Sequence, residues 1–210
     1  MVNKKIKALT ILDIKKIKRG EFANQIPEFY ELKSVIENND WHKNDSVFSH
    51  TLTVLGWLEK ILKKTKRDIL DHLSEKIDYC TRRELLMLAA LFHDIAKKET
   101  IIKKGNKTSC PCHEEKGSIK VRKILSRFNL SKREKVLVSR IINNHDLIHL
   151  ILKLDSNERE KAFARFKKSN VFWETALLGA ADTLGCQPKK EAISEVGYRL
   201  KFYKKLLFNS

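Results

Sequence analysis

Apolar residues recur at helical spacing in several stretches of the chain, separated by polar breaks. Either Asp45 or Ser46 is predicted to cap a helix, and Thr81 and Ser131 each precede a glutamate at capping-box spacing. The pattern predicts helices at about 46–62, 82–98, 113–128, 131–145, 157–166, 171–185 and 189–208.

Turn-forming residues are scarce, with 7 Gly and 3 Pro among 210 residues. This scarcity disfavours a fold with many strands and tight turns. The segment 103–112, which contains Gly105 and Pro111, is predicted to be a loop. No internal repeat or shift in composition divides the chain, so we expect one all-α domain over 1–210, with a basic lead at 1–22.

The chain is strongly basic, with 43 Lys and Arg, 26 Asp and Glu, and a net charge of +17. Such a charge attracts nucleic acid or phosphorylated substrates, although lysine-rich faces that only keep a protein soluble would give the same count. No apolar stretch approaches ~20 residues, the N-terminus does not read as a secretory signal, and the four cysteines are too sparse for a disulfide framework. We therefore expect a cytoplasmic protein without membrane association.

One histidine–aspartate pair, His93-Asp94, interrupts the most apolar predicted helix. A buried carboxylate is costly unless a cation or strong donors compensate it, and a bound metal ion would do so. His50 and Asp182 also lie within apolar helical patterns and are the candidate further ligands. Two imidazoles and two carboxylates suit Mn, Fe, Co, Ni, Zn or Mg, with positions left for water.

The order His50, His93-Asp94, Asp182 resembles the H…HD…D signature of the HD-domain metal-dependent phosphohydrolases. Within that superfamily, the chain is similar to the HD domain of bacterial CCA-adding tRNA nucleotidyltransferases over about residues 23–185. The resemblance implies a helical bundle with a metal site between core helices. No G-S followed by a D-x-D carboxylate pair is found, so CCA addition is not expected.

His113 and His145 extend the pattern and make it similar to HD proteins that hold two metals. That resemblance implies that Asp94 bridges the two ions, which would lie ~3.5–4 Å apart. In the alternative, one metal binds, and His113 and His145 hold phosphate or transfer a proton near neutral pH.

The expected reaction is attack of a metal-bound hydroxide on phosphorus, in line with the leaving oxygen. Lys97 is the first candidate for a phosphate-binding cation, and its alternative is a solvated lysine at a helix end. Arg165 is the second candidate, and its alternative is a structural ion pair. Asp94, His113, His145 and Lys97 are therefore the candidate catalytic residues.

The remaining histidines and the cysteines carry weaker signals. Cys110, Cys112 and His113 offer zinc-type ligands, but a single residue separates the two cysteines, so a flexible, redox-sensitive loop is preferred to a structural zinc site. His42, His72 and His149 are predicted to be surface groups or to support the site from outside it, and Asp146 is predicted to lie in a turn or to play the same supporting role.

The sequence thus predicts a phosphohydrolase that acts on nucleotides or on RNA termini such as 2′,3′-cyclic phosphates, with tRNA as a possible partner. The alternative is a non-catalytic module on the same scaffold, with a basic surface that binds RNA or tRNA. A complete set of metal ligands favours the enzyme, whereas the net charge fits both.

Overall fold

Twelve α-helices and four short strands make up the described part of this computed structural model, residues 6–208. The first half contains α1 (Ile14–Arg19), α2 (Pro27–Tyr30), β1 (Ile36–Asn38), β2 (Lys43–Ser46), α3 (Val47–Leu62), α4 (Arg67–Ser74), α5 (Arg82–Phe92) and α6 (Lys97–Thr100). The second half contains β3 (Ile102–Lys104), β4 (Lys107–Ser109), α7 (His113–Leu125), α8 (Lys132–Asn144), α9 (Leu147–Leu152), α10 (Ser156–Phe166), α11 (Phe172–Gly185) and α12 (Ile193–Leu207). Three short 3-10 helices complete it, at Ala8–Leu12, Glu31–Ser34 and Lys190–Ala192.

The long helices form a bundle around α5, as the predicted all-α fold requires. α5 packs against α3, α8 and α11, α7 packs against α8, and α12 covers α11. Every residue of α5 from Leu85 to Phe92 is buried. Among the described residues, no helix combines the length and the apolar character needed to cross a membrane.

The predicted helix starts are confirmed by the hydrogen bonds at their caps. Ser46 caps α3 by accepting a bond from the Ser49 amide. Thr81 and Ser131 form reciprocal capping boxes at the starts of α5 and α8. These side chains satisfy amides that the first helical turn leaves unpaired, so local sequence alone identifies them.

Two parts of the predicted secondary structure are wrong. The helix predicted over 82–98 ends at Phe92, and a turn separates it from α6. The loop predicted at 103–112 instead contains the antiparallel hairpin β3–β4. This hairpin contacts the hairpin β1–β2, where the Asn38 amide donates to Thr108 Oγ1 over 2.8 Å. Because this support comes from residues far away in sequence, periodicity could not reveal it.

Candidate metal centre

Five helical segments bring the six predicted metal ligands to one place. His50 lies in the body of α3 and Asp182 in α11, whereas His93 and Asp94 follow the last residue of α5. His113 is the first residue of α7, and His145 follows the last residue of α8. Helix ends that converge inside the bundle thus supply four of the six side chains.

One oxygen of Asp94 faces the first group of ligands. Its Oδ2 lies 3.2 Å from His93 Nε2 and 3.9 Å from His50 Nε2. Asp182 belongs to the same group: its Oδ1 lies 2.8 Å from His50 Nε2 and 3.7 Å from His93 Nε2.

The other oxygen of Asp94 faces the second group. Its Oδ1 lies 3.3 Å from His113 Nε2 and 3.9 Å from His145 Nε2, and the two imidazole nitrogens are 3.3 Å apart. In each of the sets His50, His93, Asp182 and Asp94, His113, His145, the potential ligand atoms lie within 4.8 Å of one another. Asp94 therefore stands between two ligand sets.

Backbone carbonyls orient three of the four imidazoles. The Nδ1 atoms of His93, His113 and His145 are 2.7 to 2.9 Å from the carbonyl oxygens of Ala90, Cys110 and Ile142 respectively. Each Nδ1 donates its hydrogen to a carbonyl, so each Nε2 points into the cluster. This arrangement is typical of metal-binding histidines.

The chemistry of the cluster fits a bound cation. His93 Nε2 and Asp94 Oδ2 are buried and make no well-aligned hydrogen bond to any group in the described residues. Burial alone would lower the pKa of His93, but the carboxylates of Asp94 and Asp182 outweigh it and raise that pKa to about 10. A metal ion would take the place of this proton, so binding becomes tighter as the pH rises.

The pKa values of the acidic ligands and of His145 are also shifted. Burial alone would raise the pKa of Asp94, but His93 and Lys97 hold it well below its usual value. His50 and His93 do the same for Asp182. Burial lowers the pKa of His145, which favours the neutral imidazole that metals bind.

Lys97 is a buried lysine and not the solvated helix end of the alternative prediction. Its Nζ lies 2.8 Å from Glu37 Oε2 and 3.0 Å from Asp94 Oδ2. Burial opposes its charge, but Asp94 and Glu37 together raise its pKa well above the usual value. Glu37 itself was missed at the sequence level, because it lies in the polar stretch before α3, where no apolar pattern marks it as buried.

A cavity of about 210 Å³ gives access to this cluster. Asp94, His113, His145 and Asp182 line its interior, and Lys97 lies in its wall. The cavity therefore joins the candidate ligands to the outside of the protein.

Arg165 does not belong to this site. It is exposed on α10 and is absent from the cavity lining, and no ion pair is formed by it among residues 6–208. The alternative ion pair is not formed within the described residues, and the position of Arg165 outside the cavity lining gives its predicted phosphate contact no support. The repeat of apolar residues around it could not reveal which way its own side chain points.

The other histidines and the cysteines support or surround the cluster. His42 is buried with its ring 4.6 Å from that of His50, and His149 is buried 3.3 Å from Asp146 Oδ1. Neither is a surface group. His72 lies elsewhere, 3.4 Å from Glu174.

The alternative of a structural zinc site at Cys110 and Cys112 gains no support. Cys112 is exposed, and across the described residues no group of potential metal ligands includes a cysteine.

Comparison with known proteins places the six candidate ligands inside a recognised family. The HD domain family matches residues 47–183. Bifunctional uridylyltransferase/uridylyl-removing enzymes of Acinetobacter baylyi and Hydrogenovibrio crunogenus are 28% and 25% identical over 141 and 142 residues. These matches cover 67% of this chain but only 14% and 15% of the relatives. The chain therefore spans a small part of their length, and the narrower resemblance to CCA-adding enzymes stays a prediction.

Proposed function

The chain belongs to the HD domain family of metal-dependent phosphohydrolases, and on that premise we propose that it hydrolyses phosphoesters of nucleotides or RNA termini. One observation carries this proposal: four buried histidines lie within 3.9 Å of the two oxygens of Asp94, Asp182 joins two of them, and the cluster opens to a cavity. A scaffold without chemistry has no need to bury so many titratable groups together.

We propose that the cluster holds two divalent ions. His50, His93 and Asp182 would hold one with Asp94 Oδ2, and His113 and His145 would hold the other with Asp94 Oδ1. Bound divalent metal supplies Lewis acidity that activates water and neutralises phosphate charge. Mn, Fe, Co, Ni, Zn and Mg all remain compatible with this ligand set.

Lys97 has one further role in the proposal. An ammonium group has three donors; one donates to Glu37 Oε2, and the nitrogen also forms an ion pair with Asp94 Oδ2 over 3.0 Å. A further donor would bind a phosphate oxygen in the cavity, which Lys97 lines. In this proposal Lys97 both orients Asp94 and binds the substrate phosphate, and the second role stays the prediction made from the sequence.

The cavity accommodates only the end of a large substrate. Its volume of about 210 Å³ is below the ~300–1,000 Å³ of pockets that enclose drug-sized ligands. A terminal phosphate, a 2′,3′-cyclic phosphate or part of a small nucleotide therefore suits it better than an internal RNA segment. The relatives are named as enzymes that transfer and remove uridylyl groups, which supports a substrate containing a nucleotide.

The test is a panel of phosphoesters assayed with Mn, Co, Ni, Zn or Mg. The wild-type protein should hydrolyse nucleotide or cyclic-ended substrates. The turnover rate of Asp94→Asn should be at least ~100-fold lower, because the substitution removes the charge shared by both ligand sets. Asp71→Asn, on the exposed surface of α4, is the matched control. No turnover with any metal, together with salt-sensitive tRNA binding, would instead support the non-catalytic RNA-binding module.

A further inference from the structure

The mouth of the cavity is built by segments that flank the matched family region. Trp41 comes from the turn between β1 and β2, and Arg199 comes from α12; both line the cavity. The Gln187 amide donates to the Trp41 carbonyl over 2.9 Å and so ties the turn to the chain just before α12. Both residues lie outside 47–183, the span that the HD domain family matches.

The guanidinium of Arg199 is held at this mouth with donors to spare. Its central carbon lies 4.1 Å from the centre of the Trp41 ring, and the side chain is 9% exposed. Nη2 donates to Glu195 Oε1 over 2.6 Å. Within residues 6–208, Nε and Nη1 make no hydrogen bond, although a guanidinium carries five donors in a rigid fork.

Arg199 shares its one carboxylate partner with a second cation. Glu195 also lies 3.6 Å from Lys153 Nζ, so one carboxylate serves two cations that both line the cavity. Within this trio of side chains one positive charge is left over, at the cavity that four of the candidate metal ligands also line. A partly desolvated excess charge of this kind favours an anion, and a guanidinium fork matches phosphate geometry.

We propose that Arg199, assisted by Lys153, binds a second phosphate of the substrate, different from the one that is hydrolysed. This inference rests on the proposed function and narrows its substrate class to phosphoesters with two phosphate groups. The second phosphate belongs either to a mononucleotide, as in a nucleoside 3′,5′-bisphosphate, or to the backbone next to a phosphorylated RNA end. Trp41 is a positioning residue that holds the guanidinium over the cavity.

The kinetic test compares Arg199→Gln with wild type on three substrates: a nucleoside monophosphate, a nucleoside 3′,5′-bisphosphate and a dinucleotide with a 3′-terminal phosphate. Loss of a charged hydrogen bond should raise KM about ten- to hundred-fold for whichever two-phosphate substrate is used, with a much smaller change for the monophosphate and in kcat. The KM of Arg199→Lys for the two-phosphate substrates should lie between those of wild type and Arg199→Gln. Arg67→Gln is the matched control, because Arg67 forms an equally spaced pair with Asp71 on the surface.

A purely structural arginine predicts a different outcome. Arg199→Gln would then change the kinetics of all three substrates alike, and this result would overturn the proposal. The preference between the bisphosphate and the dinucleotide in the wild-type protein identifies the source of the second phosphate.

Calorimetry on metal-free protein separates this proposal from the proposed function. Wild type should bind a nucleoside 3′,5′-bisphosphate more tightly than the monophosphate, and Arg199→Gln should remove that preference. If this result appears without turnover of any phosphoester, the anion site stands and the hydrolase assignment fails. If turnover is present but Arg199→Gln leaves the preference intact, the anion site fails. Arg199→Lys provides the same comparison should the glutamine variant not fold.

Discussion

At the scale of single residues, the arrangement depends on how Asp94 is held. Its carboxylate contacts histidines on both sides and the buried ammonium of Lys97. Glu37 holds Lys97 from the opposite direction, at 2.8 Å. The three buried charges of Asp94, Lys97 and Glu37 tolerate the loss of one member poorly, because an unpaired buried charge keeps its desolvation cost.

We expect Glu37→Gln to lower the free energy of unfolding by about 3 kcal/mol, measured by urea denaturation of the metal-free protein. The change leaves Lys97 with only one carboxylate partner. Glu31→Gln is the control, since Glu31 and Lys98 form an ion pair whose side chains are each 45% exposed. The free energy of unfolding of Glu31→Gln should fall by less than about 1 kcal/mol. Equal losses in the two variants would contradict the role given to Glu37.

Sequence reasoning proposed the residues that form the ligand cluster but missed Glu37, which holds Lys97 against it. His50 and Asp182 stand out because polar residues in apolar helical patterns need a reason to be there. Glu37 carries no such signal, since its burial depends on the contact between two hairpins. Arg165 shows the opposite failure, because a charged residue near an apolar segment need not face the site.

At the scale of elements, the packing of α12 on α11 has no spare room at Gly179. A Cβ at this position would overlap Tyr203 Oη and lie 3.2 Å from Tyr203 Cζ. Tyr203 Oη is itself buried and makes no hydrogen bond to any group that the structure describes between residues 6 and 208. The hydroxyl therefore adds little stability in return for the space it occupies.

We expect Gly179→Ala to destabilise the protein by about 1–3 kcal/mol in thermal or urea unfolding, through overpacking. Adding Tyr203→Phe removes the overlapping oxygen and should restore part of the loss, which a double-mutant cycle measures as coupling. Gly197→Ala in α12 is the control, because nothing lies within 4 Å of its Cβ. It should stabilise by up to about 1 kcal/mol. Strictly additive effects of Gly179→Ala and Tyr203→Phe would contradict the predicted contact.

The long helices were predictable because their caps and periodicity are local. The break after Phe92 was not, because the apolar pattern continues through Ile95 and Ala96, both of which are buried. The same residues would suit a continuous helix, and only the packed structure places His93 and Asp94 in a turn. The hairpins β1–β2 and β3–β4 pack on each other, and the helical periodicity of the chain carries no sign of that contact.

At the scale of the whole molecule, a net charge of +17 dominates the long-range field. We expect RNA to bind with an affinity that falls at least ~10-fold between 50 mM and 200 mM salt, because bound phosphates release counterions. Fluorescence anisotropy of a labelled tRNA or RNA oligonucleotide measures this slope. Affinity that does not change with salt would show that the basic surface does not contact the phosphate backbone.

The central claim is that the Asp94 cluster binds metal, and metal content tests it most directly. Protein dialysed to equilibrium against Mn²⁺ and analysed for bound metal should retain two ions per chain. Asp94→Ala should retain at most one weakly held ion while keeping the helical content of wild type, and Asp71→Ala should match wild type. Wild-type protein without bound metal, or Asp94→Ala with full occupancy, would contradict the account.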